Sequence, residues 1–192
     1  MECIGVTALA IVAAYLAGSI NFSILLSHLL GKPDPRTRFS GNPGATNVYR
    51  QAGRLAAGTV LVLDMIRAAA VAQIIGWYWV DAWLPWAGLA LILGNRFPCF
   101  HGFRGGKGVA NFLGFYALYL PWATMCALIA YLAMLAWRRT PFLASFAMIA
   151  VLTVFGAHRW ADSAAGLTGL LLTTGLIVCF HRSNISRMLH RQ

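Results

Sequence analysis

Three short stretches of this 192-residue chain combine glycines with hydroxyl, amide and basic side chains. The first, SGNPGATNVYR, covers residues 40–50, and its two glycines would let the backbone approach a ligand closely. Arg50 supplies a positive charge, so the stretch suits an oxyanion cradle. A tight turn leading into a helix explains the same composition equally well. The hydrogen-bonding side chains of this stretch are Ser40, Asn42, Thr46 and Asn47.

The second stretch, NRFPCFHGFRGGKGVANF, covers residues 95–112 and places Gly105, Gly106 and Lys107 just before an apolar segment. Backbone N–H groups, a helix N-terminus and a lysine together suit a phosphate group. The pattern is not a Walker A sequence, because the first glycine spacing and the hydroxyl residue after the lysine are absent. Anchoring on the positive side of a membrane accounts for the charges equally well.

The third stretch, HRSNISR, covers residues 181–187 and spaces His181, Asn184 and Arg187 three residues apart. In a helix, this spacing allows the three side chains to share a face. Basic residues after a last membrane helix are also common without any further role. We expect all three stretches on the same side of the membrane, where together they would surround one anionic group.

Several classes of catalytic site lack their parts in this sequence. The chain has only five acidic residues, and it contains no GxSxG, HExxH or paired-carboxylate motif. Chemistry that needs a carboxylate base or a metal is therefore disfavoured, and we expect neither a metal nor a cofactor. A reaction between phosphorylated substrates held by cations stays open. Asp64 and Arg67, three residues apart in an apolar run, are interpreted as a structural ion pair.

The segments that position these stretches are strongly apolar. Apolar residues make up 59% of the chain and charged residues 10%, whereas a soluble domain is about one quarter charged. Several uncharged runs exceed the roughly 18–20 residues that span hydrocarbon as a helix. The prediction is an all-α, polytopic integral membrane protein that forms a single transmembrane domain over residues 1–192. The net charge of +10 then reports orientation rather than nucleic-acid binding.

The basic residues form four clusters, and placing all of them on the cytoplasmic side sets the number of crossings. Residues 108–137 must then cross twice, as short helices with a break near Leu120 and Pro121. The N-terminus is predicted outside, with the C-terminus and the motif loops in the cytoplasm. The seven predicted segments cover about 4–29, 55–79, 82–95, 108–120, 122–137, 141–158 and 163–181.

Motifs along nearly the whole chain resemble the bacterial membrane glycerol-3-phosphate acyltransferases that use acyl phosphate as donor. They are YLAGSINFSILL, DPRTRFSGNPGATNVYR, LDMIRA, FPCFHGFRGGKGVA, RTPFLAS and HRSNISRML, in that order. The resemblance implies seven helices with three inward-facing motif loops in the bacterial inner membrane. It also implies transfer of a fatty acyl group to the 1-hydroxyl of glycerol 3-phosphate, which gives lysophosphatidic acid and phosphate.

The resemblance assigns an active site residue by residue. Arg50 and Lys107 correspond to phosphate binders, and the base would be His181 or an oxygen of the donor's own phosphate. The other side chains implied are Ser40, Thr46, Asn47, Ser145 and Asn184, and the backbone of Gly41, Gly44, Gly105 and Gly106 would complete the phosphate cradle. Direct transfer is the simpler mechanism, because phosphate is already a good leaving group.

The chain departs from the family's usual pattern at Asn95, where the family has a histidine. Asparagine still donates a hydrogen bond but cannot carry charge, so Asn95 stays a candidate substrate-binding residue. The further departures are Phe39, Arg67 and Phe142. The substrates and membrane lipid are the expected partners, and no protein partner is inferred. The main rival function is a transporter or channel for an organic phosphate, which cationic loops would also serve.

Overall fold

The computed structural model describes residues 2–78 and 81–190, and within these residues the ordered elements are all helical. The α-helices are α1 (Glu2–Ser19), α2 (Phe22–Leu29), α3 (Ala45–Tyr78), α4 (Leu84–Arg96), α5 (Val109–Tyr116), α6 (Pro121–Arg138), α7 (Pro141–Arg159), α8 (Ala164–Phe180) and α9 (Arg182–Leu189). Two 3₁₀ turns, Asp81–Trp83 and Cys99–His101, precede and follow α4. The all-α class predicted from the sequence is confirmed.

Three helical stretches in the described part of the chain are long and apolar enough to cross a membrane. They are Gly5–Leu29, Ala45–Tyr78 and Pro141–Arg159, and the bent pair α8 and α9, at 49°, would provide a fourth. Large apolar side chains such as Leu9 and Leu55 point outward, at 70% and 86% exposure, as lipid-facing residues do. The protein is thus a polytopic membrane protein, and the count of seven crossings stays a prediction.

The predicted break before Pro121 is confirmed, because α5 ends at Tyr116 and α6 begins at Pro121. The prediction of one unbroken first helix is wrong. Asn21 lies between α1 and α2, and its side chain accepts the Ile24 N–H at 3.1 Å as an N-cap. Helix α3 begins ten residues earlier than predicted, at Ala45, and bends at Gly53, whose φ is +83°.

Helices α1 and α4 pack unusually closely through glycines. A Cβ atom added at Gly18 would lie 2.0 Å from the Leu91 carbonyl oxygen, and one added at Gly94 would lie 2.1 Å from the Tyr15 carbonyl oxygen. Small residues allow this approach of two backbones, which is a common way to associate helices in lipid. The contact fixes the end of α4, which leads directly into the second motif loop.

We expect Gly94→Ala to destabilise the protein, because the new methyl group has no room against the α1 backbone. Overpacking of this kind costs about 1–3 kcal/mol, and each kcal/mol lowers Tm by about 2–4 °C in a chain of this size. Thermal unfolding in detergent measures the effect. The matched control is Gly175→Ala in α8, where an added Cβ meets nothing within 4 Å. Equal Tm values for the two variants would contradict the packing account.

A buried polar network ties the break in the first membrane segment to α3 and α5. Arg67 pairs with Asp64 at 2.9 Å, as predicted, and both side chains are almost fully buried. The same guanidinium donates to the Ile20 carbonyl oxygen and to Oδ1 of Asn111. The arginine thus satisfies both a carboxylate and a carbonyl left at the helix break, which lowers the cost of placing them away from water.

Candidate active site

The three polar stretches of the sequence meet around one open cavity of about 650 Å³. Its walls come from the start of α3, the end of α4, the loop before α5, the facing ends of α6 and α7, and α9. Twelve of the predicted site residues line it: Ser40, Asn42, Gly44, Thr46, Asn47, Arg50, Asn95, Gly106, Lys107, Ser145, His181 and Asn184. Gly41 and Gly105 are not among its lining residues.

Lys107 is the centre of the contacts between the second and third stretches. Its Nζ donates to Oδ1 of Asn184 at 2.9 Å, and Nη2 of Arg187 donates to the same oxygen at 3.3 Å. Asn184 and Arg187 both lie on α9, so this short helix places an amide and a guanidinium group beside the lysine. One neutral oxygen therefore holds two cations together at the cavity wall.

The electrostatic setting of Lys107 differs from that of a surface lysine. Partial burial, together with the nearby charges of Arg187 and Arg96, lowers the pKa of Lys107 to about 8. A bound anion would offset both effects, because it restores a counter-charge to a partly desolvated ammonium group. This environment favours a phosphate ligand at Lys107.

The N–H groups of the four glycines in the predicted backbone cradle donate to carbonyl oxygens within the loops. Gly41 donates to the Arg38 carbonyl at 2.9 Å and Gly44 donates to that of Asn42 at 3.0 Å. The N–H groups of Gly105 and Gly106 are used in the same way, by the carbonyls of Arg96 and Asn95 respectively. A part for these four glycines as backbone donors to phosphate stays a prediction.

Gly105 is instead required by close packing of the loop against the end of α4. A Cβ atom at this position would lie 2.0 Å from the Asn95 carbonyl oxygen, which the backbone of the next residue needs as an acceptor. Asn95 itself is buried, and its side-chain amide lies beside Gly106. Asn95 is thus part of the wall that shapes the loop around Lys107.

Helix N-termini supply backbone donors at the cavity instead. Helix α5 begins at Val109, two residues after Lys107, and its first residues, Val109 and Ala110, line the cavity. Helix α3 begins at Ala45, and Ala45 and Thr46 also line it. The first N–H groups of a helix lack intrahelical acceptors and favour an anion. Two helix N-termini therefore face the same cationic cavity.

Asn47 organises the first loop from the base of α3. Its Nδ2 donates to the carbonyl oxygens of Pro35 and Arg38, at 2.6 and 3.1 Å, and the side chain is buried. Its Oδ1 is buried without a hydrogen-bond partner among the described residues. Arg50 lies one turn further along α3 and stays exposed. Asn47 thus holds the first loop in place from the base of α3, and the guanidinium of Arg50 on the same helix is open to the cavity.

His181 and Ser145 are held by backbone carbonyls. Nδ1 of His181 lies 2.8 Å from the Ile177 carbonyl oxygen, which places the proton on Nδ1 and leaves Nε2 as an acceptor. Its buried ring packs edge-on against Phe146. The Ser145 hydroxyl donates to the Pro141 carbonyl oxygen at 3.0 Å, so the serine oxygen can act only as a hydrogen-bond acceptor toward a ligand.

Comparison with known proteins accounts for this arrangement. The family model of glycerol-3-phosphate acyltransferase matches residues 8–191, which is nearly the whole chain. This chain belongs to that family. A glycerol-3-phosphate acyltransferase of Methylobacillus flagellatus is 38% identical over 95% of this chain and 93% of its own length. One from Shewanella halifaxensis is 40% identical over 95% of this chain and 91% of its own.

Two crystal structures resemble this acyltransferase-family chain closely. Both are of PlsY (YgiH), an integral membrane glycerol 3-phosphate acyltransferase, in its glycerol 3-phosphate and lysophosphatidic acid forms. The TM-scores are 0.88 and 0.86, at 34% and 33% identity, and each match covers 96% of this chain and 92% of PlsY. The chain therefore has the fold of the membrane acyltransferase PlsY.

Sequence reasoning missed part of the wall in this family member. Arg138 and Thr140 line the cavity from the turn between α6 and α7, and Tyr131 and Asn111 line it from within helices. The sequence analysis used the basic clusters, of which Arg138 and Arg139 form one, only to orient the chain in the membrane. Tyr131 gave no indication because the residues around it are apolar. The apolar side chains that complete the wall are Leu61, Leu113, Leu128, Leu143 and Met148.

Proposed function

We propose that this protein transfers a fatty acyl group from acyl phosphate to the 1-hydroxyl of glycerol 3-phosphate. The observation that carries the proposal is one cavity whose wall contains cations, helix N-termini and leucines. A polar phosphate and an apolar chain can meet there. The family assignment supports this enzyme over the organic-phosphate transporter that cationic loops would also suit.

Phosphate recognition in this proposal rests on cations without competing acids. Arg50, Lys107, Arg138 and Arg187 line the cavity, whereas the single carboxylate lining it among the described residues, Asp64, is paired with Arg67. Lys107 would neutralise charge on the departing phosphate, since a donor aimed at developing charge lowers the barrier.

The transfer is direct in this mechanism. The 1-hydroxyl oxygen of glycerol 3-phosphate attacks the acyl carbonyl carbon, an ester bond forms, and the bond from that carbon to the phosphate oxygen breaks. The hydroxyl proton passes to a phosphate oxygen of the donor, which leaves as inorganic phosphate. No covalent acyl-enzyme is needed, because an acyl phosphate is a mixed anhydride with a good leaving group.

We expect His181→Gln to retain turnover within about tenfold of wild type. The donor phosphate takes the proton in our mechanism, whereas loss of a true general base costs about 10²–10⁴-fold. Steady-state kinetics with palmitoyl phosphate gives kcat, and a binding assay shows that the site still accepts donor. A variant that binds acyl phosphate but has lost all turnover would assign the base to His181 instead.

The activity should fall as the pH rises past 8. Lys107 binds phosphate in its charged form, and its lowered pKa of about 8 means that the free enzyme loses this charge above that pH. We expect kcat/KM to decline about tenfold per pH unit on the alkaline side. Lys107→Arg should remove this decline at a reduced maximum, because arginine stays charged. Identical alkaline profiles for the two proteins would exclude Lys107 as the titrating group.

The chain as a whole is proposed to form one transmembrane domain of seven crossings in the bacterial inner membrane. The motif loops and C-terminus would face the cytoplasm and the N-terminus the outside, as the distribution of basic residues favours. The reaction is tested by supplying purified protein with glycerol 3-phosphate and either palmitoyl phosphate or palmitoyl-CoA. Lysophosphatidic acid should form from the acyl phosphate, and formation from the CoA ester alone would contradict the proposed donor.

A further inference from the structure

A second, smaller cavity of about 270 Å³ lies where α2 meets the second motif loop. It is lined by Ile24, Leu25, His28, Lys32, Asp34 and His101. None of these residues lines the candidate active-site cavity, and the proposed acyl transfer uses none of them. Ile24, Leu25 and His28 lie on α2, Lys32 and Asp34 follow its C-terminal end, and His101 belongs to the second motif loop, so the cavity combines apolar and polar side chains.

The one carboxylate of this cavity is already neutralised. Asp34 forms an ion pair with Arg36. The Arg36 Nε lies 3.0 Å from both carboxylate oxygens of Asp34, and its Nη2 lies 2.6 Å from Oδ2. This contact lowers the pKa of Asp34, and the positive field of Arg104 acts in the same direction. Lys32 makes no ion pair with any described residue, so its charge is left uncompensated.

The histidines add hydrogen-bond donors to that charge. Nε2 of His101 lies 3.5 Å from the Asn21 nitrogen and accepts its N–H, which leaves Nδ1 as the donor. Burial lowers the pKa of His101, with Arg36 as a second cause, so this ring is a neutral donor at pH 7. His28 is exposed on the last turn of α2, Lys32 follows three residues after the end of that helix, and both line the cavity.

Three backbone carbonyls at the C-terminal end of α2 already accept hydrogen bonds, which reduces their repulsion of an anion in this cavity. The carbonyl oxygens of Leu26, Ser27 and His28 accept N–H groups from residues 30–32, with Gly31 at a φ of +61° as a left-handed cap. On the same helix, Leu25, Leu29 and Leu30 are 40%, 80% and 48% exposed. A lysine and two imidazoles thus border an exposed apolar surface on a helix that belongs to a membrane span.

We propose that this cavity binds the phosphate headgroup of an anionic membrane phospholipid, with the acyl chains lying along the leucines of α2. Lys32 supplies the charge, and His28 and His101 supply hydrogen bonds to phosphate oxygens. The apolar border favours a lipid over a free anion, because a soluble phosphate gains nothing from the leucines. Each basic side chain near an anionic bilayer surface contributes about a fivefold gain in affinity.

The test counts phosphatidylglycerol bound to the detergent-purified chain by native mass spectrometry, with excess glycerol 3-phosphate present to occupy the active site. Phosphatidylcholine with the same acyl chains and inorganic phosphate are the two other arms. The Lys32→Gln, His28→Gln double variant is compared with Arg54→Gln, which removes an exposed charge on α3 outside both cavities. Lys32→Glu provides a second, charge-reversed variant.

We expect one tightly retained phosphatidylglycerol, about fivefold or more weaker binding in both cavity variants, and no change in Arg54→Gln. Phosphatidylcholine should bind more weakly to wild type, and millimolar phosphate should not displace the anionic lipid. Equal retention by wild type and the cavity variants, equal binding of the two lipids, or displacement by phosphate would each overturn the proposal. The readout does not depend on catalysis, so its failure leaves the acyltransferase proposal intact.

Discussion

Lys107→Ala is expected to lower kcat/KM about 10³-fold, the largest effect of any single truncation in the cavity. Removing one donor that stabilises developing charge in an enclosed site costs about 10²–10³-fold, and here a full positive charge is also lost. Lys107 reaches the cavity from the loop that precedes α5 and contacts Asn184 there, so its loss removes the one lysine from the wall among the described residues. Kinetics with palmitoyl phosphate and glycerol 3-phosphate measures the loss.

The matched control for Lys107→Ala is Arg54→Ala, which removes an exposed charge from α3 outside the cavity. It should leave kcat/KM within about twofold of wild type, because a screened surface charge contributes little. Thermal unfolding establishes that both variants are folded. A folded Lys107→Ala protein with kcat/KM within threefold of wild type would remove Lys107 from the mechanism.

Asn184→Asp is expected to lower kcat/KM at least about 10²-fold although it changes no side-chain shape. The amide oxygen already accepts hydrogen bonds from Lys107 and Arg187, and a carboxylate there would form ion pairs with both. The substrate phosphate would then compete with a built-in anion and be repelled by it. The loss should appear mainly as a raised KM, with Tm unchanged or slightly higher.

Asn184→Ala separates the charge effect from the loss of the amide. It frees both cations but leaves them attracted to phosphate, so we expect a decline of only about tenfold in kcat/KM. The order of activities should therefore be wild type, then alanine, then aspartate. An aspartate variant as active as the alanine variant would show that the anion does not bind beside Asn184.

Parts of the architecture follow directly from residue chemistry. Proline at 121 cannot continue a helix from residue 117, and the break falls there. Asp64 and Arg67 are three residues apart in an apolar run, and they pair as expected. The spacing of Asn184 and Arg187 likewise placed two polar side chains on one face of α9, where they now touch.

Other features depend on contacts that a linear pattern does not contain. The break at Asn21 lies inside a run apolar enough to read as one span, and the only local signal is a polar N-cap residue after Ser19. That break is tolerable because Arg67, 47 residues away, binds the freed Ile20 carbonyl. A hydropathy profile identifies the membrane span, but it does not identify the distant arginine that binds the carbonyl at the helix break.

The glycine-rich loops show the same limit at the site. Gly105 and Gly106 have the composition of a phosphate cradle, yet their N–H groups bond to the end of α4. The folded structure is needed to show that free backbone N–H groups remain at the first residues of α3 and α5, Ala45 and Val109. Tyr131 and Thr140 join the wall because α6 packs against α7, and no local pattern indicates that contact.

The most direct measurement of the central claim follows phosphate release from palmitoyl phosphate by purified wild-type protein, with and without glycerol 3-phosphate. We predict that release requires the acceptor, matches lysophosphatidic acid formation one for one, and is abolished in Lys107→Ala. Folded wild-type protein that releases no phosphate, or releases it equally without the acceptor, would contradict acyl transfer in this cavity.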